Sequence, residues 1–415
     1  MTNINSKSIE EAAKNLEGIA QKTPLQYCAR LSEFFGAKIY LKREDLQKVR
    51  SYKIRGAYNK ISSLDEDEKK NGIVCASAGN HAQGVAFSAA KMKIKGIIFM
   101  PTATPLQKIN KVKQFGGKWV DIKLTGATFD ESCKAAKKFA LEHNMAFIPP
   151  FDDEKVICGQ GTVGKEIFDA FEGNIDIILC PVGGGGLIAG VSTFAKEKRP
   201  ETEVIGVEPQ GAGGMYESLK TGQVVTLDKI DTFVDGAAVK AVGEKTFKIA
   251  LRNVEEIILV PEGQVCTTMI ELYQNEGIIT EPAGALTVSA LINLTEKIKG
   301  KTIVCIISGG NNDILRYPEI MERSLVYQGL KHYFLIEFAQ KPGQLRQFVD
   351  QALGVNDDIV RFEYIKKTDK ERGPALIGVE LTKREDYKKL LSRMDKLEIK
   401  YTVLKENDLL YSYLI

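Results

Sequence analysis

The sequence predicts an α/β protein: two doubly wound lobes of parallel sheet up to about residue 325, then a smaller α+β domain. Three observations predict it. Short apolar runs alternate with amphipathic stretches at intervals of roughly 25 residues, the spacing of right-handed strand–helix–strand crossovers. One such run, Ile175-Asp176-Ile177-Ile178-Leu179-Cys180, feeds directly into Pro181-Val182-Gly183-Gly184-Gly185-Gly186-Leu187, a strand ending in a glycine turn. Beyond about residue 326 the order changes to strand, helix, two strands, helix, strand, a β-α-β-β-α-β unit of about 85 residues.

Taken in order, a helical segment around Ser8 to Leu16 precedes a strand, Ala37 to Lys42, and Ser51 to Tyr58 opens a helix. Gly72 to Ala76 is an apolar strand that breaks at Ser77-Ala78-Gly79-Asn80 and passes into a helix from His81 to about Lys91. Strand Gly96 to Met100, helix Pro105 to Phe115, strand Lys118 to Ile122 and helix Ala127 to Glu142 continue the first series. The second series is Ile175 to Pro181, Val204 to Glu208, Glu256 to Val260 and Thr302 to Ile307, with helices between, the first of them from Leu187 to Ala195. In the tail, strand Lys331 to Phe338, helix Leu345 to Leu353 and strand Val360 to Tyr364 come first. A polar turn, Thr368 to Gly373, then leads to strand Leu376 to Leu381, helix Glu385 to Met394 and a last strand near Leu409 to Leu414. The interface between the two lobes is the expected ligand cleft.

The composition narrows the function. A formal charge of +3 on 57 basic and 54 acidic residues gives no electrostatic case for nucleic acid. The expected partner is a small molecule. The 7 cysteines include no C-x-x-C pair, and several sit in strand-like runs, so they read as reduced core residues of a cytoplasmic protein. With 3 scattered histidines, no zinc site is expected and no metal is assigned. No apolar stretch reaches a membrane-spanning length, and Met1-Thr2-Asn3-Ile4-Asn5 has no signal-peptide character.

The glycine turn is a phosphate site by its chemistry. Without Cβ atoms, Gly183 to Gly186 let a ligand reach consecutive backbone N–H groups, and the positive end of the following helix adds to the attraction. Gly184-x-Gly186-x-x-Ala189, with Glu208 ending the next strand, also satisfies a dinucleotide fingerprint. That leaves a nicotinamide-dependent oxidoreductase as the alternative. Three further positions stand where strands end. Lys53, flanked by apolar neighbours, would have its amine pKa lowered by desolvation and so be free to attack a carbonyl. Asn80 heads a helix whose free N–H groups suit a carboxylate. Ser308, in Ser308-Gly309-Gly310-Asn311, offers a hydroxyl to a ring nitrogen or serves as a helix cap.

These motifs occur together with Lys42-Arg43-Glu44-Asp45, Ser51-Tyr52-Lys53-Ile54-Arg55-Gly56-Ala57, Pro150-Phe151-Asp152-Asp153, Gly159-Gln160-Gly161-Thr162 and Glu281-Pro282-Ala283-Gly284-Ala285. In that order they resemble the serine/threonine dehydratases of the tryptophan-synthase-β-like, fold type II pyridoxal-phosphate enzymes. The likeness runs from about residue 5 to 322, and the tail resembles the ACT-like domain of biosynthetic threonine deaminases, in a short form with one copy. It implies a catalytic domain of two lobes over 1–325, with the cofactor cleft between them, and an ACT-like regulatory domain over 326–415.

The resemblance also implies roles. Lys53 would hold pyridoxal 5′-phosphate as a Schiff base and then remove the Cα proton, while Asn80 would bond the ring hydroxyl. Gly183, Gly184, Gly185, Gly186 and Leu187 would cradle the phosphate, and Ser308 would face the pyridine nitrogen. Ser77, Ala78, Gly79, Asn80, His81 and Gln83 would take the substrate carboxylate. A neutral hydroxyl at the ring nitrogen suits β-elimination over transamination. With the cofactor phosphate as acid for the departing hydroxyl, an enamine tautomerises to an imine, and water releases ammonia and 2-oxobutanoate. L-threonine is the implied substrate, with L-serine secondary, at the first step towards isoleucine.

Isoleucine would inhibit through the tail, with valine as an opposing effector, and such control implies a homo-oligomer, a dimer or tetramer. Two departures are visible. Ala78 stands where serine racemases carry a second acid/base, which favours elimination over racemisation. Gly214 supplies no carboxylate where some relatives coordinate a cation, which leaves a monovalent ion on backbone carbonyls as the remaining cation reading.

Overall fold

The structure, a computed structural model, describes residues 4–366, 370–405, 408, 410, 411 and 414. The chain divides into two compact units, Met1–Asp313 and Ile314–Ile415. Among the described residues no helix is long and apolar enough to cross a membrane.

In the first unit, β1 (Leu25–Tyr27) and β2 (Lys38–Arg43) precede the helix Lys53–Ser62. The strands β3 (Ile73–Ala76), β4 (Gly96–Met100), β5 (Val120–Leu124) and β6 (Ala146–Phe147) then build a small parallel sheet in the order β5-β4-β3-β6. The strands β7 (Ile177–Pro181), β8 (Glu203–Pro209), β9 (Glu256–Val260) and β10 (Thr302–Ile307) join β1 and β2 in a six-stranded sheet, ordered β1-β2-β10-β7-β8-β9. Every residue of β3, β7 and β10 is buried. Helices cover both faces of a parallel sheet, so its inner strands read as continuous apolar runs rather than alternating ones.

The run around Ala37 to Lys42 precedes the small-lobe series in the chain, yet as β2 it lies in the large sheet, parallel to β10 with Ile39 opposite Ile303 and Leu41 opposite Cys305. Ile39 and Leu41 are completely buried there, and β1 closes the edge antiparallel to β2. The N-terminal segment therefore belongs to the second lobe, and the chain enters the first lobe only with the Lys53 helix. Two close approaches between helices depend on glycine. A Cβ on Gly159 would meet the backbone of Arg55 and Gly56 at 2.6 to 2.9 Å, and one on Gly84 would meet Lys53 backbone at 3.1 Å. These contacts bring the helices Glu154–Ala170 and Asn80–Met92 down onto the first turn of the Lys53 helix.

In the second unit, β11 (Lys331–Ala339), β12 (Asp358–Tyr364), β13 (Arg372–Glu380) and β14 (Lys400–Val403) form an antiparallel sheet in the order β12-β13-β11-β14. Phe334, Ile336 and Ile377 pack with Leu390 and Met394 of the helix Asp386–Lys396. Residues 368 and 369 of the expected turn lie outside the described residues. So do 409, 412 and 413 of the strand expected near Leu409 to Leu414; the place beside β11 is taken by Lys400–Val403.

Candidate active site

A cavity of about 290 Å³ opens between the carboxyl ends of the two sheets of the first unit. It is lined by Lys53, Ser77, Ala78, Gly79, Asn80, His81, Gln83, Gly183, Gly184 and Ser308, which the sequence had picked out at separate strand ends. Tyr52, Lys108, Phe151, Asp235 and Glu281 are also part of the wall.

Lys53 opens its helix half-buried, and its Nζ donates to the Pro150 carbonyl at 2.9 Å. Desolvation lowers its pKa to about 8, with the Glu281 carboxylate opposing the shift. Across the cavity β7 ends at Pro181 and the glycine turn begins. Gly185 takes the left-handed conformation at φ 88° and caps the helix Gly186–Lys198, while a Cβ on Gly184 would fall into the Phe151 ring. Gly185, Gly186 and Leu187 do not line the cavity with side chains, and Leu187 is packed into the core. What this stretch presents is the first N–H groups of a helix, which have no acceptor within it.

The loop Ser77 to Asn80 leads into the helix Asn80–Met92, and Ser77 Oγ accepts from the Gly79 N–H at 3.1 Å. The His81 ring is buried with Nε2 against the Ile148 carbonyl at 2.9 Å. Burial, and then the Lys53 charge, push its pKa down to about 3, so the ring is neutral and its main-chain N–H is the group left for a ligand. Buried Gln83 Oε1 has no hydrogen-bond partner. Ser308 Oγ donates to the Ala283 carbonyl at 3.3 Å.

Glu208, the proposed ribose ligand of a dinucleotide reading, is turned away from such a role. Its carboxylate accepts from the N–H groups of Met215 and Tyr216 at 2.9 and 2.8 Å, at the start of the helix Gly214–Thr221. Burial outweighs those two bonds and raises its pKa to about 8. Among the described residues no group of three His, Cys, Asp or Glu side chains could hold a metal.

The first unit matches the family described as pyridoxal-phosphate dependent enzyme over residues 16–309. The second matches the C-terminal regulatory domain of threonine dehydratase over 322–414. The chain is 52% identical over 415 residues to the biosynthetic L-threonine dehydratase of Halalkalibacterium halodurans, covering 100% of both proteins. The chain belongs to the biosynthetic threonine dehydratases, a family of pyridoxal-phosphate enzymes. To the Bacillus subtilis member identity is 51%, over 99% of this chain and 98% of that one.

Among solved structures, threonine deaminase isoform 2 of Solanum lycopersicum superposes with a TM-score of 0.72 at 40% identity, over 78% of this chain and 95% of that one. Serine racemase of Dictyostelium discoideum gives 0.70 at 35%, over 75% and 99%. As a threonine dehydratase the chain is a carbon–nitrogen lyase that uses pyridoxal phosphate, not the nicotinamide oxidoreductase that the glycine fingerprint alone allows. The residues present fit that cofactor: a desolvated amine at Lys53 and a glycine turn with no Cβ in the way.

Glu281 opens the motif Glu281-Pro282-Ala283-Gly284-Ala285. As the residue before a proline at a helix start it reads as an ordinary cap, yet its side chain makes no bond to its own helix. The Lys108–Asp235 ion pair, at 2.6 Å, also lines the cavity, and no motif pointed to it.

Proposed function

We propose that this chain converts L-threonine to 2-oxobutanoate and ammonia, with L-serine as a secondary substrate, at the first step towards isoleucine. The observation that carries the reading is a single cavity faced by the amine of Lys53, the glycine turn and the Ser77–Gln83 loop. Bound pyridoxal phosphate supplies an electron sink for the pair left when the Cα proton is removed. Lys53 holds the cofactor aldehyde and takes that proton; with a pKa of about 8, roughly a tenth of the amine is neutral at pH 7. The N–H groups from Gly183 to Leu187 would hold the phosphate, Asn80 would bond the ring hydroxyl, and Ser308 would serve the ring nitrogen. The substrate carboxylate sits on the loop and helix start from Ser77 to Gln83. Ala78 offers no second proton carrier, so elimination dominates over racemisation.

The cradle makes a direct prediction. In Gly184→Val the branched side chain collides with Phe151. Pyridoxal phosphate binding to the apo-protein, followed by the visible cofactor band, is expected to weaken about tenfold or more. Unchanged affinity would remove this stretch from the phosphate site.

The tail is a regulatory domain, and its effectors belong to this proposal. Isoleucine binds it and inhibits, valine opposes, and the protein works as a cytoplasmic dimer or tetramer whose interfaces repack. Isoleucine is expected to raise the half-saturating threonine concentration by a factor of about 5–150, the usual size of allosteric coupling. Shortening the chain after about residue 325 should abolish that shift. The assay is 2-oxobutanoate release with threonine and with serine, with and without isoleucine. No release from either amino acid by cofactor-loaded protein sinks the reading, and a truncated chain still inhibited by isoleucine places the effector site elsewhere.

A further inference from the structure

We propose that Glu281 is the residue that positions Asn80 against the cofactor ring, at the end of a side-chain relay running from Asn311 through Asn80 to Glu281. The inference rests on the reading of Asn80 as the partner of the ring hydroxyl. Asn311 Nδ2 donates to the Asn80 Oδ1 at 2.8 Å and to the Val49 carbonyl at 2.8 Å. Asn80 Nδ2 in turn donates to Glu281 Oε1 at 2.6 Å. A side-chain amide has one oxygen and two N–H hydrogens. With the oxygen taken by a donor and one hydrogen by a carboxylate, rotating the amide would set N–H against N–H and oxygen against oxygen. The relay therefore fixes the Asn80 amide and leaves its second N–H for a ligand.

The surroundings keep a place for this carboxylate. Glu281 is 5% exposed and lines the cavity. A Cβ on Gly309 would overlap its Oε1, and one on Gly236 would lie 3.4 Å from it. Glycine at 309 clears the space for the carboxylate, while the close approach at Gly236 is to Ala283. The helix Pro282–Ser289 gets no cap from the side chain, so ordinary helix capping does not explain where it points.

Glu281 also carries a charge that changes near neutrality. Burial first, and then Asp235, raise its pKa to about 7, while the Asn80 bond, Lys108 and the Asn311 main-chain N–H oppose the rise. Asp235 is paired with Lys108, and from the Lys53 helix both Lys53 and Tyr52 feel the Glu281 charge. As Glu281 ionises, it strengthens the hold of Lys53 on its proton. Cofactor affinity and the visible band should thus carry a step near pH 7 whose origin lies outside the lysine.

The experiment titrates pyridoxal phosphate into apo-protein from pH 6 to 9 and records affinity and the visible band for the wild type, Asn80→Ala, Glu281→Leu and Glu281→Gln. Asn80→Ala and Glu281→Leu are expected to weaken binding about tenfold each and to move the band in the same direction. Glu281→Gln keeps an oxygen for Asn80, so its affinity stays within about twofold of the wild type while the step near pH 7 disappears. If Asn80→Ala binds like the wild type, the reading of Asn80 itself fails. If Asn80→Ala weakens binding but Glu281→Leu does not, the relay is overturned. A step that persists in Glu281→Gln overturns the charge assignment, and this isosteric variant decides even where the leucine variant does not fold.

Discussion

Lys53→Ala is expected to give a folded, colourless protein whose threonine turnover is lower by about 10⁴-fold or more. A positioned general base contributes about 10²–10⁴-fold on its own, and here the same amine also holds the cofactor. The fold should survive the change. The side chain is half-buried, donates to the Pro150 carbonyl, and lies in a cavity rather than a packed core.

A second readout separates loss of chemistry from loss of structure. The folded-state pKa of Lys53 lies below that of a free lysine, so between about pH 8 and 10.5 the unfolded chain binds more protons than the folded one. Apo wild type should gain stability as the pH rises through that window, and the alanine variant should lack the gain. Circular dichroism melts of the two apo-proteins measure it. A variant that stays coloured and turns threonine over at the wild-type rate would end the assignment of Lys53.

Much of this architecture is legible before any coordinates, because parallel strands buried on both faces leave unbroken apolar runs. Ile177 to Cys180 and Ile303 to Ile307 are such runs, and each is completely buried. The glycine turn and the Ser77 to Gln83 loop are legible for a related reason, since small residues directly after a strand mark the edge where ligands bind. Sheet membership is not legible in the same way. Nothing in Lys38–Arg43 says that it pairs with Thr302–Ile307 across most of the chain, because hydrogen-bonded neighbours are set by tertiary contact and not by local pattern. β6, with only Ala146 and Phe147, is too short to show a period.

Glu281 escaped for a chemical reason: a carboxylate before proline has an ordinary meaning as a helix cap, and only the three-dimensional placement of Asn80 gives it another. Gly159, packed against Arg55, lies in a recognisable motif, and Gly84, packed against Lys53, directly follows the Ser77 to Gln83 stretch. Their purpose, close helix crossings, required the coordinates.

The largest stability effect is expected two residues beyond the catalytic lysine. Arg55 and Glu44 are buried, and Glu166 is 15% exposed. The Arg55 guanidinium meets Glu44 Oε1 at 2.8 Å and Glu166 Oε1 at 2.7 Å, and Lys42 Nζ meets Glu166 Oε2 at 2.6 Å. Burial alone would discharge Glu44. The charge of Arg55, with Lys42 behind it, overcomes that penalty and holds its pKa below the usual carboxylate value.

Removing Arg55 leaves Lys42 alone against two carboxylates, and breaking a buried pair costs about 3–5 kcal/mol, whereas replacing a whole cluster with apolar groups is often nearly neutral. Arg55→Met should therefore lower the stability of the apo-protein by about 3–5 kcal/mol, read from the urea midpoint. Adding Glu44→Gln, which leaves the neutral pair Lys42–Glu166, should return part of that loss. Because Arg55 anchors the first turn of the Lys53 helix, saturating cofactor should also recover some stability in the single variant, by mass action on the folded state. A single variant within about 1 kcal/mol of the wild type would mean that the cluster contributes little net stability, and that the helix is held chiefly by its glycine contacts with the helices Glu154–Ala170 and Asn80–Met92.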